Sequence, residues 1–217
     1  MRLVPHETTL VIAGAWNPAI LTPEWVLRHA LQTELDGTNK IQAAMPVGLL
    51  FEFPRFELED LYFIARTDAF ILFPKPIAED RFLVIESVAQ RTLDQLSHTP
   101  ITGVGHNFEF RDETPDPGML KAFSAAQQDV VDIAPDGFSV SSSGISTSLK
   151  CDQSVINIQR YFDGGRLGVK FNFHYPVSSA TEASAVLKGD DGHGRFYKNY
   201  QTALNLVEQL YGKVSND

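Results

Sequence analysis

Cys151 is the single cysteine of the chain, so neither an intrachain disulfide nor a cysteine-based zinc or iron–sulfur centre is available to it. Lysine and arginine never form a run, and 18 of them stand against 27 carboxylates for a net charge of −9. That balance disfavours non-specific nucleic-acid binding and attraction to anionic membranes. No apolar stretch approaches the roughly 20 residues that a membrane-spanning helix needs. The opening residues Met1-Arg2-Leu3-Val4-Pro5-His6-Glu7 lack the apolar segment and small-residue cleavage site of a secretory signal, so a cytoplasmic protein is expected. Nucleophile and phosphate-loop motifs are missing too. Ser141-Ser142-Ser143-Gly144 is no Gly-x-Ser-x-Gly elbow, and Gly103-Val104-Gly105-His106 lacks a third glycine and a following helix. Cys151, with no histidine nearby in sequence, reads as a small buried hydrophobe.

Periodicity is present in abundance. The first half predicts a strand at 8–16, then a helix opened by Thr22-Pro23, an N-cap oxygen followed by proline at the first helical position, and closed by Asp36-Gly37. Strands follow at 45–53, 55–66 and 69–73. A helix over 79–96 carries Phe82, Ile85, Ala89 and Leu93 on one side. The second half repeats the order. A strand at 101–111 precedes a helix opened by Asp116-Pro117, 94 residues after Thr22-Pro23, and strands are expected at 137–151, 155–162 and 167–175. Asp163-Gly164-Gly165 supplies the positive φ angles of a tight hairpin turn, and a last helix over 196–211 stops at Gly212.

Each half thus reads β-α-β-β-β-α, with pseudo-repeats at 1–98 and 99–217 and an insertion, read as a loop, over 176–195. Such units make an α+β fold: mostly antiparallel sheet with helices on one face. In Val169-Lys170-Phe171-Asn172-Phe173-His174-Tyr175 the apolar residues alternate with Lys170, Asn172 and His174, as a one-sided sheet requires. In the first half Glu52, Glu57 and Glu59 predict an acidic open face. In outline the layout resembles the duplicated saddle of the TATA-binding protein, and it is similar to uncharacterised bacterial proteins with the same doubled layout. The resemblance is one of topology and implies a bacterial source and no chemistry. The acidic open face gives no reason to carry DNA binding over.

Candidate sites are few. Asp190, Asp191 and His193, set among Gly189, Gly192 and Gly194, offer oxygen and nitrogen ligands for a divalent metal, without the spacing of an EF-hand. His106 and His174, both on second-half strands, form a second candidate metal pair if they face each other near Glu109 or Asp112. The acidic group Glu109, Asp112, Glu113 and Asp116 precedes a helix, whose dipole favours negative charge there. Three functions compete. A non-catalytic module for protein binding, self-association or assembly, without cofactor, is the leading expectation, drawn from the absent motifs and the 15 phenylalanines. A metal-dependent hydrolase using the acidic and histidine loop is the alternative. An acidic mimic of nucleic acid is the third, but the charge is spread: 8 cations against 13 anions give −5 over residues 1–98, and 10 against 14 give −4 over 99–217.

Overall fold

The computed structural model describes residues 1–33, 41–44, 53–124, 140–151, 153–188 and 194–212. Within them ten strands form one antiparallel sheet, and helices cover one of its faces, which makes an α+β fold. Strand β1 (Arg2–Leu3) and a 3-10 turn (Pro5–Glu7) lead into β2 (Thr9–Gly14). Helix α1 (Pro23–Trp25) follows and continues as a π-helical segment (Val26–Leu31). Short strands β3 (Gln42–Ala44) and β4 (Arg55–Glu57) precede β5 (Leu61–Ala65), β6 (Ala69–Pro74) and helix α2 (Glu79–Gln95). The second half holds β7 (Ile101–Asp112), α3 (Pro117–Ser124), β8 (Ser142–Lys150), β9 (Val155–Asp163), β10 (Arg166–Pro176), α4 (Ala180–Lys188) and α5 (Arg195–Tyr211). None of the described helices is long and apolar enough to cross a membrane.

The strands lie in the order β3-β4-β5-β6-β2-β7-β10-β9-β8, and β1 pairs with the far end of β7. Outward from the central pair β2 and β7, β6-β5-β4 lies on one side and β10-β9-β8 on the other. Alternation along each strand sends one set of side chains under the helices. Leu10 and Ile12 of β2, Phe70 and Leu72 of β6, Val104, Phe108 and Phe110 of β7, and Val169, Phe171 and Phe173 of β10 are all buried. Phe82 and Ile85 of α2, with Phe196, Tyr200 and Val207 of α5, close over them. The Phe196 ring lies tilted against Phe108, with centroids 4.9 Å apart, and meets Phe82 edge-on at 5.3 Å. Each of these large side chains contributes roughly 1.5–3 kcal/mol by leaving water.

The signals for helix starts and turns act as their chemistry predicts. Thr22 Oγ1 accepts the N–H of Trp25 at 3.2 Å, and Asp116 Oδ1 accepts those of Gly118 and Met119 at 2.7 and 3.0 Å. Gly164 and Gly165 take φ of 56° and 86° in the β9–β10 turn, and Gly212 ends α5 at 86°. Elsewhere the structure corrects the expectation. The first helical stretch ends at Leu31, five residues before Asp36, because Gln32 takes a left-handed φ of 59° and Leu27 carbonyl oxygen accepts its N–H. Asp36-Gly37, like residues 45–52 of the expected strand at 45–53, lies outside the described residues, and Phe53 is in no strand. The strand expected over 55–66 is two, broken where Leu58 N–H bonds Leu61 carbonyl oxygen at 2.9 Å and Asp60 pairs with Arg81.

The insertion over 176–195 holds a helix where a loop was expected. Ser179 Oγ accepts the N–H of Glu182 at 3.2 Å, and the Glu182 carboxylate reaches back to Ser178 N–H at 2.8 Å, a reciprocal cap that opens α4. Ala180, Ala183 and Leu187 then pack inward.

Candidate functional site

Asp190, Asp191 and His193 lie outside the described residues. The other histidine pair is separated by register. Phe173 stands opposite His106 and His174 opposite Gly105, so the two imidazoles project from opposite faces of the sheet and do not meet. His106 is fully buried under α5. Asn199 Nδ2 lies 2.8 Å from its Nδ1 and donates to the Tyr175 hydroxyl at 2.8 Å. Burial, with Arg195 adding to it, pushes the pKa down to about 3, and the ring is neutral and structural. Among the described residues no group of three or more His, Cys, Asp or Glu is placed to hold a metal. Cys151 is exposed at the end of β8, 3.1 Å from Ser154 Oγ, rather than buried.

The face turned away from the helices, uncovered among the described residues, divides into two chemistries. Over β2, β6 and β5 it is apolar: Val11 stands beside Ile71 and Ile71 beside Ile64, while Phe73 stands beside Tyr62, all half-buried. Cations flank Tyr62, with Arg55 at 4.8 Å and Lys75 at 5.4 Å from its ring, and Lys75 also holds Glu57 at 2.5 Å. Of the acids expected on this face, Glu57 is paired with Lys75, Glu59 is exposed in the turn after β4, and Glu52 lies outside the described residues, while over β2, β6 and β5 the face is apolar.

Over β7, β10, β9 and β8 the same face is polar and ordered. One cross-strand row spans five strands. Asn107 donates to Thr9 at 2.9 Å, Asn172 to Asn107 at 2.8 Å, Asn157 to Asn172 at 3.1 Å, and Ser148 to Asn157 at 2.7 Å. Each link is a directly opposed pair in the ladder. Bonds of this kind each contribute about 1 kcal/mol, and the four together link three amide and two hydroxyl groups in fixed orientation.

The next row is Glu109, Lys170, Gln159 and Ser146. Glu109 is 2% exposed, although it stands on the open face. Its Oε1 accepts from the Tyr161 hydroxyl at 2.5 Å and from Arg111 Nη2 and Nε at 2.5 and 3.0 Å, and Lys170 Nζ lies 3.2 Å from its Oε2. Burial alone raises the Glu109 pKa, but these donors outweigh it and hold the carboxyl below its ordinary value. Burial and the Glu109 hydrogen bond push the Tyr161 hydroxyl up to about 12, so it stays a donor. The charge of Glu109 thus belongs to this cluster on β7; of its acidic neighbours in sequence, Asp116 is the one that caps α3.

Tyr161 reaches Glu109 from two strands away because β10 carries a glycine between them. A Cβ on Gly168 would lie 2.2 Å from Tyr161 Cζ. Gly168→Ala must lift the ring and break its bond to Glu109. A loss of about 2–3 kcal/mol is expected, against about 1 for Tyr161→Phe, which keeps the ring in place. Urea unfolding of both single variants and of Gly168→Ala with Tyr161→Ala measures this. The double variant should recover most of the steric cost, and equal losses in Gly168→Ala and Tyr161→Phe would refute the packing.

Two hollows open on this polar field. One, of about 440 Å³, is lined by Asn107, Asn157, Gln159, Lys170 and Asn172 among others. The second, of about 290 Å³, shares Gln159 and Lys170 and adds Arg111, Tyr161, Asp163 and Arg166. Of these residues the sequence singles out Lys170 and Asn172 through their alternation. Asn107, Asn157, Tyr161 and Gly168 carry no local pattern, since only pairing brings them together. No protein-family model and no curated protein matches the chain, so its chemistry has to be read from these surfaces.

Proposed function

We propose that the chain is a non-catalytic protein-binding module that docks a partner on the open face of its sheet. The observation that carries this reading is the division of that face. A half-buried apolar stripe, Val11, Ile71 and Ile64, lies next to a pre-ordered field of amides and charges. Protein interfaces have this anatomy, an apolar centre bordered by polar groups that set register and partner. The row of amides and hydroxyls across five strands stabilises the sheet and also presents fixed donors and acceptors on its outer side. The mirrored strand order about β2 and β7 supports a doubled β-α-β-β-β-α ancestry, with the two copies since specialised to opposite polarities. The single, exposed cysteine suits a reducing compartment, so a bacterial cytoplasm belongs to the same reading.

The test is loss of the partner without loss of fold. Ile71→Asp should abolish co-elution of the chain with its partner in size exclusion of a source-cell extract. Ile71→Thr should weaken it, and Leu83→Asp, at an exposed position of helix α2, should leave it intact. Melting temperatures check that each variant is folded. Undiminished co-elution of a folded Ile71→Asp protein would refute the reading.

A further inference from the structure

Two of the three cations at the smaller hollow are held by the buried carboxylate of Glu109. Arg111, 25% exposed, is anchored by Glu109 and by the Tyr161 hydroxyl, to which its Nε donates at 3.1 Å. Lys170, 47% exposed, lies on the same carboxylate and 5.7 Å from the Tyr161 ring. Arg166 faces them and is tied to Asp163 at 3.3 Å. Desolvating a carboxylate to hold two cations is costly, and an apolar arrangement would serve stability as well. What the network does provide is fixed N–H donors around an open space.

A carboxylate of the chain itself stands beside that space. Glu113, 65% exposed, stands 3.7 Å from Arg111 Nη1 and 4.0 Å from Arg166 Nε, both beyond hydrogen-bond length. The cations attract it without seating it. Arg111, Arg166 and Lys170 at the hollow carry three positive charges against two negative ones, Asp163 and Glu109 behind them, and the charge left over is met by Glu113 from beyond hydrogen-bond length. A monoanion neutralises that charge. A dianion would overshoot it in a chain already at −9.

We infer that the hollow between Arg111, Arg166 and Lys170 is a carboxylate-binding subsite, which an acidic side chain of the docked partner occupies in place of Glu113. This rests on the open face being the docking surface, and it adds that the partner presents an Asp or Glu there, with the Gln159 amide as a further donor. Bidentate pairing to Arg111 and Arg166 would supply the geometric selectivity that Glu113 does not reach.

The test titrates the isotope-labelled full chain with N-acetyl-glutamate α-amide, a side-chain monoanion, and separately with inorganic phosphate. Saturable shifts of the Gln159 side-chain amide and the Arg111 Nε–H are expected. Affinity should fall at least fivefold in Lys170→Met and rise at least threefold in Glu113→Gln, which removes the internal competitor. Both positions are exposed enough for the variants to fold. Non-saturating shifts, an affinity indifferent to both substitutions, or tighter binding of phosphate than of the monoanion would overturn the assignment. A normal titration in a chain that captures no partner would sink the docking face alone; partner capture without saturable carboxylate binding would sink the subsite alone.

Discussion

Glu86→Gln is expected to make the protein more stable than the wild type at pH 8, with the difference between the two growing as the pH rises from 5 to 8. Glu86 sits on α2 with 2% exposure, and its Oε1 accepts the N–H of Phe196 at 2.5 Å in the first turn of α5. It caps that helix from outside, where Gly194 brings no side chain of its own. Gly194 is also what makes room, since a Cβ there would lie 1.5 Å from Glu86 Oε2. Burial pushes the carboxyl up from 4.5 to about 7, with the Phe196 N–H pulling the other way. An acid with a raised pKa in the folded state contributes fully below its unfolded value of 4.5. As the pH rises towards about 7 the unfolded chain ionises first, and that contribution is lost; above 7 nothing further changes. The shift corresponds to about 3 kcal/mol at most. Glutamine keeps the acceptor and the volume and removes the titration. Urea unfolding at pH 5 and pH 8 measures the difference, and parallel pH profiles for the two proteins would refute the role given to Glu86.

Glu109→Gln should act in the opposite direction. At pH 7 it is expected to cost about 2–4 kcal/mol, because Tyr161 and Arg111 lose a charged acceptor in a buried position. The Glu109 pKa is depressed, so its contribution is present above 4.5 and disappears as the pH falls through the lower folded value. The deficit of the variant should therefore shrink towards pH 3, as read by thermal unfolding across that range. A deficit that stays constant from pH 7 to pH 3 would mean that the hydrogen-bond geometry, and not the charge, holds the cluster. Together the two carboxylates give opposing pH slopes from opposite faces of one sheet: Glu86 under the helices weakens the fold as pH rises, and Glu109 on the open side weakens it as pH falls.

Much of the fold is legible in the sequence because local chemistry carries it. Thr22-Pro23 and Asp116-Pro117 cap helices as an oxygen followed by a proline must, and Asp163-Gly164-Gly165 turns a hairpin. The alternation in 169–175 separates core from surface, and Phe82, Ile85, Ala89 and Leu93 mark the buried side of α2. Helix α4 was also legible, since Ser179 and Glu182 have the spacing of a reciprocal cap. The glycines that follow in the sequence draw attention to a loop instead. The candidate site is less legible. Thr9, Asn107, Asn172, Asn157 and Ser148 form one row through register alone, and no sequence spacing connects them. The place of Tyr161 depends on a glycine one strand away, at 168. The polarity of the first half's open face depends on which residues of β6 and β5 point outward. A single turn at 58–60 resets that phase, so Glu57 and Glu59 could not establish it from a continuous strand.

The most direct measurement places a photo-crosslinking benzoylphenylalanine at Ile71 in one protein, at Gln159 in a second and at exposed Leu83 in a third, and irradiates each in its source cell. The same discrete protein adduct is expected from positions 71 and 159, and none from 83. Adducts from position 83 alone, or unrelated adducts from 71 and 159, would contradict a docking face that spans both halves of the sheet.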